Sequence, residues 1–106
     1  MQPIPTGAVA VIFVSERNDA DPAGYDAASD QMAAEAARQP GYLGAEAVRD
    51  AAGTGITVSY WADHAAAEAW RDHAGHTAIR NRGRADWYDG YHLLVCDVAR
   101  SYRWER

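Results

Sequence analysis

From Ala8 to Ser15 the chain reads Ala-Val-Ala-Val-Ile-Phe-Val-Ser, a short β-branched run whose two alternating faces are both apolar. A strand of that kind has to be covered above and below, so it belongs at the centre of a sheet with a layer on each side. The question for the fold is what supplies the two layers.

One layer is helical. After a polar, turn-prone segment from Glu16 to Gly24, Tyr25, Ala28, Met32 and Ala36 fall on one stripe of an alanine-rich helix that Pro40-Gly41 ends. Tyr42 to Arg49 then reads as a second strand, Asp50 to Gly55 as a loop, and Ile56 to Trp61 as a third strand, so the two strands form a hairpin. Asp63 is the expected N-cap of a second helix, with Ala66, Trp70, His73 and Thr77 near one face, Gly75 a point of interruption and Gly83 its far end. Trp87-Tyr88 and Gly90 read as an aromatic turn, and Tyr91 to Tyr102 as a long fourth strand.

The order β-α-β-β-α-β predicts an α+β, ferredoxin-like fold: a four-stranded antiparallel sheet with both helices on one face. With 106 residues, 48% of them hydrophobic, the chain can bury one modest core, and residues 1–106 are expected to form a single domain. Strands one and four are apolar on the side the helices leave open. An uncovered sheet face of Val, Leu and Ile exceeds what monomers expose, which predicts a homodimer closed sheet to sheet.

Composition removes several classes of function. A formal net charge of −5 opposes sequence-independent nucleic-acid binding and attachment to an anionic membrane, both of which need clustered cations. The lone Cys96 lies inside an apolar run and has no internal disulfide partner. Met1 to Gly7 shows neither the basic nor the apolar part of a leader, and no apolar run approaches a membrane span, so the cytoplasm is the expected compartment.

Gly55-Ile-Thr-Val-Ser-Tyr-Trp61 followed by Ala-Asp-His-Ala-Ala-Ala-Glu-Ala-Trp70 is similar to the strand-then-helix signature of the antibiotic-biosynthesis monooxygenase superfamily. Pro40-Gly-Tyr-Leu-Gly44, His76 to Arg84, Trp87-Tyr-Asp-Gly-Tyr91 and Arg100-Ser-Tyr102 extend the resemblance over nearly the whole chain, toward a branch with little assigned chemistry. The resemblance implies a dimeric α/β barrel. It leaves activity open, because such proteins include cofactor-free oxygenases, haem-degrading enzymes and ligand binders.

By the same resemblance Trp70 matches a helix-two tryptophan that lines the pocket of both kinds of enzyme; by periodicity alone it is a core anchor. His73 and His76 lie three apart on one helix, and His76 is the candidate base because imidazole titrates near neutrality. As a metal site the pair lacks the further ligands zinc requires. Arg80 and Arg84, in the cluster Arg80, Arg82 and Arg84, are candidates for holding a developing oxyanion. Phe13 and Ser15 on strand one, with Tyr60, His73, Trp87 and Tyr91, are candidates for lining a pocket suited to a flat aromatic ligand.

The leading expectation is therefore a cofactor-independent monooxygenase acting with dioxygen on a small aromatic or polyphenolic substrate, with Trp70, His76 and Arg80 catalytic. The alternatives are a ligand-binding dimer without turnover and a haem protein with His73 or His76 as axial ligand. Haem degraders of the superfamily carry an asparagine on strand one and a histidine about three helical turns past the tryptophan; here Asn18 lies beyond the strand and Arg80 stands ten residues after Trp70. The carboxylates Glu16, Glu35, Glu46 and Asp97 fall singly on separate elements, so spacing identifies no acid/base dyad.

Overall fold

A computed structural model describes residues 3–106; Met1 and Gln2, the first residues of the stretch read above for a leader, lie outside it. The elements run β1 (Val9–Arg17), α1 (Pro22–Ala37), β2 (Tyr42–Arg49), β3 (Thr54–Trp61), α2 (His64–Asp72), α3 (Ala74–Arg82), a single π-type turn (Gly83–Trp87) and β4 (Tyr88–Asp97). The sheet order is β2-β3-β1-β4 with every pair antiparallel, the α+β ferredoxin-like arrangement. The run that opened the chain is an inner strand, as its two apolar faces require.

Register sorts the side chains. Val9 pairs with Trp61 and Asp97, Val11 with Ser59 and Val95, Phe13 with Thr57 and Leu93, and Ser15 with Gly55 and Tyr91. These odd-numbered residues of β1 and their partners face the helices, because Val9 and Ser15 are enclosed beneath them. Ala10, Ile12 and Val14, with Tyr60, Val58 and Ile56 on β3 and Cys96, Leu94 and His92 on β4, line the other face. Among the described residues, no helix or strand covers that second face.

The buried cluster is small: Val9, Ala36, Trp61 and Trp70, with Val11, Met32, Tyr42, Ala66 and Ala67 packed around it. Two tryptophans among so few residues carry much of the stabilisation, at roughly 1.5–3 kcal/mol for each large apolar side chain removed from water. Tyr42, Trp61 and Trp70 form a continuous aromatic series, with centroids 5.6 Å apart for the first pair and 6.1 Å for the second. Gly41, at φ +82°, turns the chain from α1 into β2 directly beneath α2, where a Cβ would stand 2.6 Å from that of Ala66.

Several boundaries differ from expectation. α1 begins at Pro22 inside the stretch read as a turn, because the Asp21 side chain accepts from Gly24 N at 3.1 Å and Pro22 fits the first helical position. β1 continues to Arg17 and β3 starts at Thr54, extending both strands toward the hairpin end of the sheet. Asp63 caps α2 as its side-chain type implies, accepting from Ala66 N at 2.8 Å.

The second helix is two helices, and the break is at His73, two residues before Gly75. The Trp70 carbonyl is taken by His73 N at 3.1 Å and by the His76 ring at 2.9 Å, which closes α2. Past Arg82 the chain does not stop at Gly83, whose φ of −58° and ψ of −44° carry it into the π-type turn. Trp87 ends that turn, and Tyr88 is already in β4. β4 ends at Asp97, short of Tyr102, and residues 98–106 run on without a sheet partner beyond the bonds that Val98 makes to Ala8 and Gly7.

Candidate active site

α2 and α3 bring Trp70, His73 and His76 together. The His76 ring is stacked on the Trp70 indole with centroids 4.7 Å apart and planes at 18°, and the His73 ring lies 5.3 Å from the same indole. His76 Nδ1 is 2.9 Å from the Trp70 carbonyl oxygen. A carbonyl can only accept, so Nδ1 carries the proton and Nε2 carries the lone pair. Burial pushes the His76 imidazole below its ordinary range, with the neighbouring Arg80 charge acting in the same direction and the Trp70 hydrogen bond partly opposing both. The result is a neutral ring, held in one tautomer, with its free nitrogen on Nε2.

Arg80 follows His76 by one helical turn. It is half-buried, and its Nε is enclosed without a hydrogen-bond partner. The other two arginines of the cluster point elsewhere. Arg82 lies over the Trp87 ring at 4.7 Å and reaches Asp21 at 3.7 Å and Asp86 at 3.5 Å. Arg84 donates to the Tyr91 hydroxyl and lies over that ring. One basic stretch is thus divided among three neighbours.

Phe13, Ser15, Trp87 and Tyr91 gather at the opposite end of β1 from Trp70. Phe13 meets Tyr88 at 5.4 Å and Tyr91 at 5.1 Å, while Trp87 is enclosed against Tyr25 at 5.7 Å. Ser15 is 1% exposed, and its hydroxyl accepts from Arg49 Nη2 at 2.9 Å. Tyr60 stands apart from all of these, on the open face of the sheet opposite Ala10 and Gly44. Between the two aromatic groups the helix side of the sheet is uncovered: Leu93 is 50% and Val95 54% exposed. They form an apolar strip beside Val11 and Phe13.

Two clefts of about 340 Å³ lie elsewhere, one between α1 and α3 over Trp87, the other between Gly41 and the start of α2. Neither includes Trp70, His73 or His76.

Three associations were invisible in the sequence. Arg49 on β2 donates to Ser15, to the Tyr25 hydroxyl at 2.9 Å and to the Gly53 carbonyl, and Tyr25 is bonded in turn by Tyr88. Burial pushes the Tyr88 phenol well above its ordinary range. Glu35 on α1 comes within 3.8 Å of His73 Nδ1, and Asp97 at the end of β4 lies 2.6 Å from His64 Nε2. Each pair spans elements far apart in the chain, so no local spacing carries a signal of it. Among the described residues, no three His, Cys, Asp or Glu side chains converge as a metal cluster, and no helix is long and apolar enough to cross a membrane.

A four-stranded antiparallel sheet with its helices on one face places the chain among α+β, ferredoxin-like proteins. Within that class the chain belongs to the antibiotic biosynthesis monooxygenase family, whose model matches residues 8–82. The protein YqjZ of Bacillus subtilis (strain 168) is 46% identical over 92 residues, covering 87% of this chain and 80% of that one. Among solved structures, a variant of SnoaB, a cofactor-independent oxygenase from Streptomyces nogalater, superimposes with a TM-score of 0.77 at 20% identity, covering 90% of this chain and 96% of that one. Rv0793 from Mycobacterium tuberculosis gives a TM-score of 0.74 at 16% identity, covering 84% and 92%. At these identities the structural likeness speaks for the fold.

Proposed function

We propose that the protein is a cofactor-independent monooxygenase that oxidises a small aromatic or polyphenolic substrate with dioxygen. The family supports a monooxygenase-type function. The observation that carries the finer reading is the Trp70–His76 stack, in which the Trp70 carbonyl fixes the imidazole tautomer and leaves Nε2 as a lone-pair acceptor.

In this reading a ring-activated C–H or O–H of the substrate gives its proton to His76 Nε2. The resulting anion is electron-rich and reduces dioxygen, forming a C–O bond to a peroxide that takes back the proton held by His76. Loss of the second hydrogen from the same carbon then breaks the O–O bond, leaving one oxygen in the product as a carbonyl and releasing the other as water. The protein needs to supply orientation, a base and a dry surface. In the same reading Arg80, one helical turn past His76, stabilises the oxyanion as it develops. The strip of Val11, Phe13, Leu93 and Val95 offers an apolar bed for a flat ring, with Tyr91 and Arg84 at its far end.

The reading includes a homodimer closed through the open sheet face. Val48, Ile56 and Leu94 are exposed there beside Ile12, Val14 and Val58, and burying these branched side chains against a second sheet removes the apolar patch.

Oxygen uptake by the purified, metal-free protein with anthrone- and quinol-type compounds tests the reading, with Trp70→Phe and His76→Ala as controls. Enzyme-dependent uptake that both variants lose is expected. Uptake indifferent to both would overturn it, and binding of the same compounds without uptake would leave a ligand-binding dimer. A Soret shift on haem addition, lost in His73→Ala or His76→Ala, would replace it with the haem reading.

A further inference from the structure

His73 is the joint between α2 and α3. Its backbone is extended, with φ −61° and ψ 133°, its N–H closes α2 on the Trp70 carbonyl, and its side chain opens α3 by accepting from Gly75 N at 3.2 Å. Nδ1 of the neutral ring is therefore a lone-pair atom with one donor. The two helix ends that meet here carry Trp70 and His76, so the geometry of their stack depends on this residue.

Glu35 approaches the same nitrogen from α1. Its Oε1 accepts from Gln31 at 3.2 Å, but its Oε2 is buried without a partner, 3.8 Å from His73 Nδ1. Two acceptors thus face each other with no proton between them, at the desolvation cost of a lone carboxylate oxygen. Gly75 makes the approach possible: a Cβ there would sit 2.2 Å from Oε2. Among the other charged and titratable groups around the joint, α3 contributes His76 and Arg80. α2 contributes Arg71 and Asp72, bonded to each other at the surface. The sheet contributes Tyr42, behind Trp61. Among the described residues, Glu35 is the acid that comes within 3.8 Å of the His73 ring from across the helix layer.

We propose that Glu35 and His73 form a proton-operated joint. When Nδ1 takes a proton from solvent, it stops accepting from Gly75 N–H and donates to Glu35 Oε2, and the first turn of α3 is released from its cap. Glu35 is then a positioning residue: it selects which of two hydrogen bonds holds the joint that sets His76 against Trp70. Its catalytic meaning rests on the oxygenase reading above, but its test requires no substrate.

The test is a pH titration of the full chain, labelled with ¹⁵N, followed by NMR at the histidine rings and the Gly75 amide. In the native protein His73 is expected to carry its proton on Nε2 at the alkaline end and to gain one on Nδ1 on acidification, with the Gly75 amide shifting at the same midpoint. Glu35→Gln removes the anion at constant shape and is expected to move that midpoint down, because the imidazolium loses its carboxylate partner. Gly75→Ala is expected to do the same, because the added Cβ displaces the carboxylate while alanine favours the helix.

A Gly75 amide that does not follow His73 in the native protein overturns the proposal, as does a His73 midpoint unchanged in both variants. The native titration stands even where a variant fails to fold. Loss of the oxygenase reading would leave these spectra as they are, and failure of the spectra would leave oxygen uptake as it is.

Discussion

The His76 imidazole lies flat on the Trp70 indole, centroids 4.7 Å apart, while its Nδ1 points at the carbonyl oxygen of that same tryptophan. One residue therefore supplies the stacking surface, the tautomer and part of the low-dielectric surroundings of the other. Because Trp70 also stacks toward Trp61 in the buried cluster, the site is continuous with the core.

Removing the indole should accordingly unsettle the fold as well as the site. Trp70→Ala is expected to cost about 3–5 kcal/mol, as for large-to-small changes elsewhere, and Trp70→Phe much less. Urea unfolding followed by circular dichroism measures both. A Trp70→Ala protein as stable as the native one would mean that the cluster packs without this side chain.

The depressed titration of His76 has a stability consequence. The folded value lies below the ordinary 6.5 because burial disfavours the imidazolium, so the unfolded chain binds the proton first as pH falls. This part of the stability is present above about pH 6.5, declines as pH drops toward the folded value, and is constant below it. His76→Phe keeps an aromatic ring against Trp70 and removes the titration. The urea midpoint of the native protein is expected to fall more steeply than the variant's between about pH 7.5 and pH 5.5; parallel curves would contradict the burial argument.

Arg49 is expected to matter although it lies far along the sheet from Trp70. Arg49→Ala leaves the Ser15 hydroxyl, almost completely enclosed, without its donor, and should cost about 2 kcal/mol. Arg49→Lys should recover only part of this, since one ammonium cannot reproduce a planar fork that reaches Ser15, Tyr25 and the Gly53 carbonyl together. Equal stability of the Ala and Lys variants in thermal unfolding would show that the fork is not used.

The open sheet face yields a prediction of assembly. Ile56→Glu combined with Leu94→Glu places carboxylates on an apolar surface while sparing every residue of the helix side. Sedimentation velocity is expected to show a dimer for the native protein and a monomer for the variant, because burying unpaired carboxylates costs more than the contact returns. A native protein that sediments as a monomer at micromolar concentration would remove the dimer from the proposed function.

Much of the fold could be read from local pattern. The alternation of β1, the stripe Tyr25, Ala28, Met32 and Ala36, the Asp63 cap and the hairpin loop each follow from chemistry within a few residues. The misread boundaries follow from interactions such patterns do not contain. The break at His73 rests on a ring three residues later taking the Trp70 carbonyl, and the early start of β4 on a π-type turn that passes through Gly83 without a left-handed residue.

The sequence by itself determined the β-α-β-β-α-β order, the inner position of β1 and the presence of Trp70, His73, His76 and Arg80 along one stretch, because helical and strand periods are local. Only the tertiary structure decided that Arg82 and Arg84 turn away from Arg80, that Tyr60 lies across the sheet from Trp70, and that Glu35 and Arg49 meet residues dozens of positions distant. Those relations depend on strand register and on how closely α1 seats against α3. Both are set by the packing of the whole core, and no short segment encodes them.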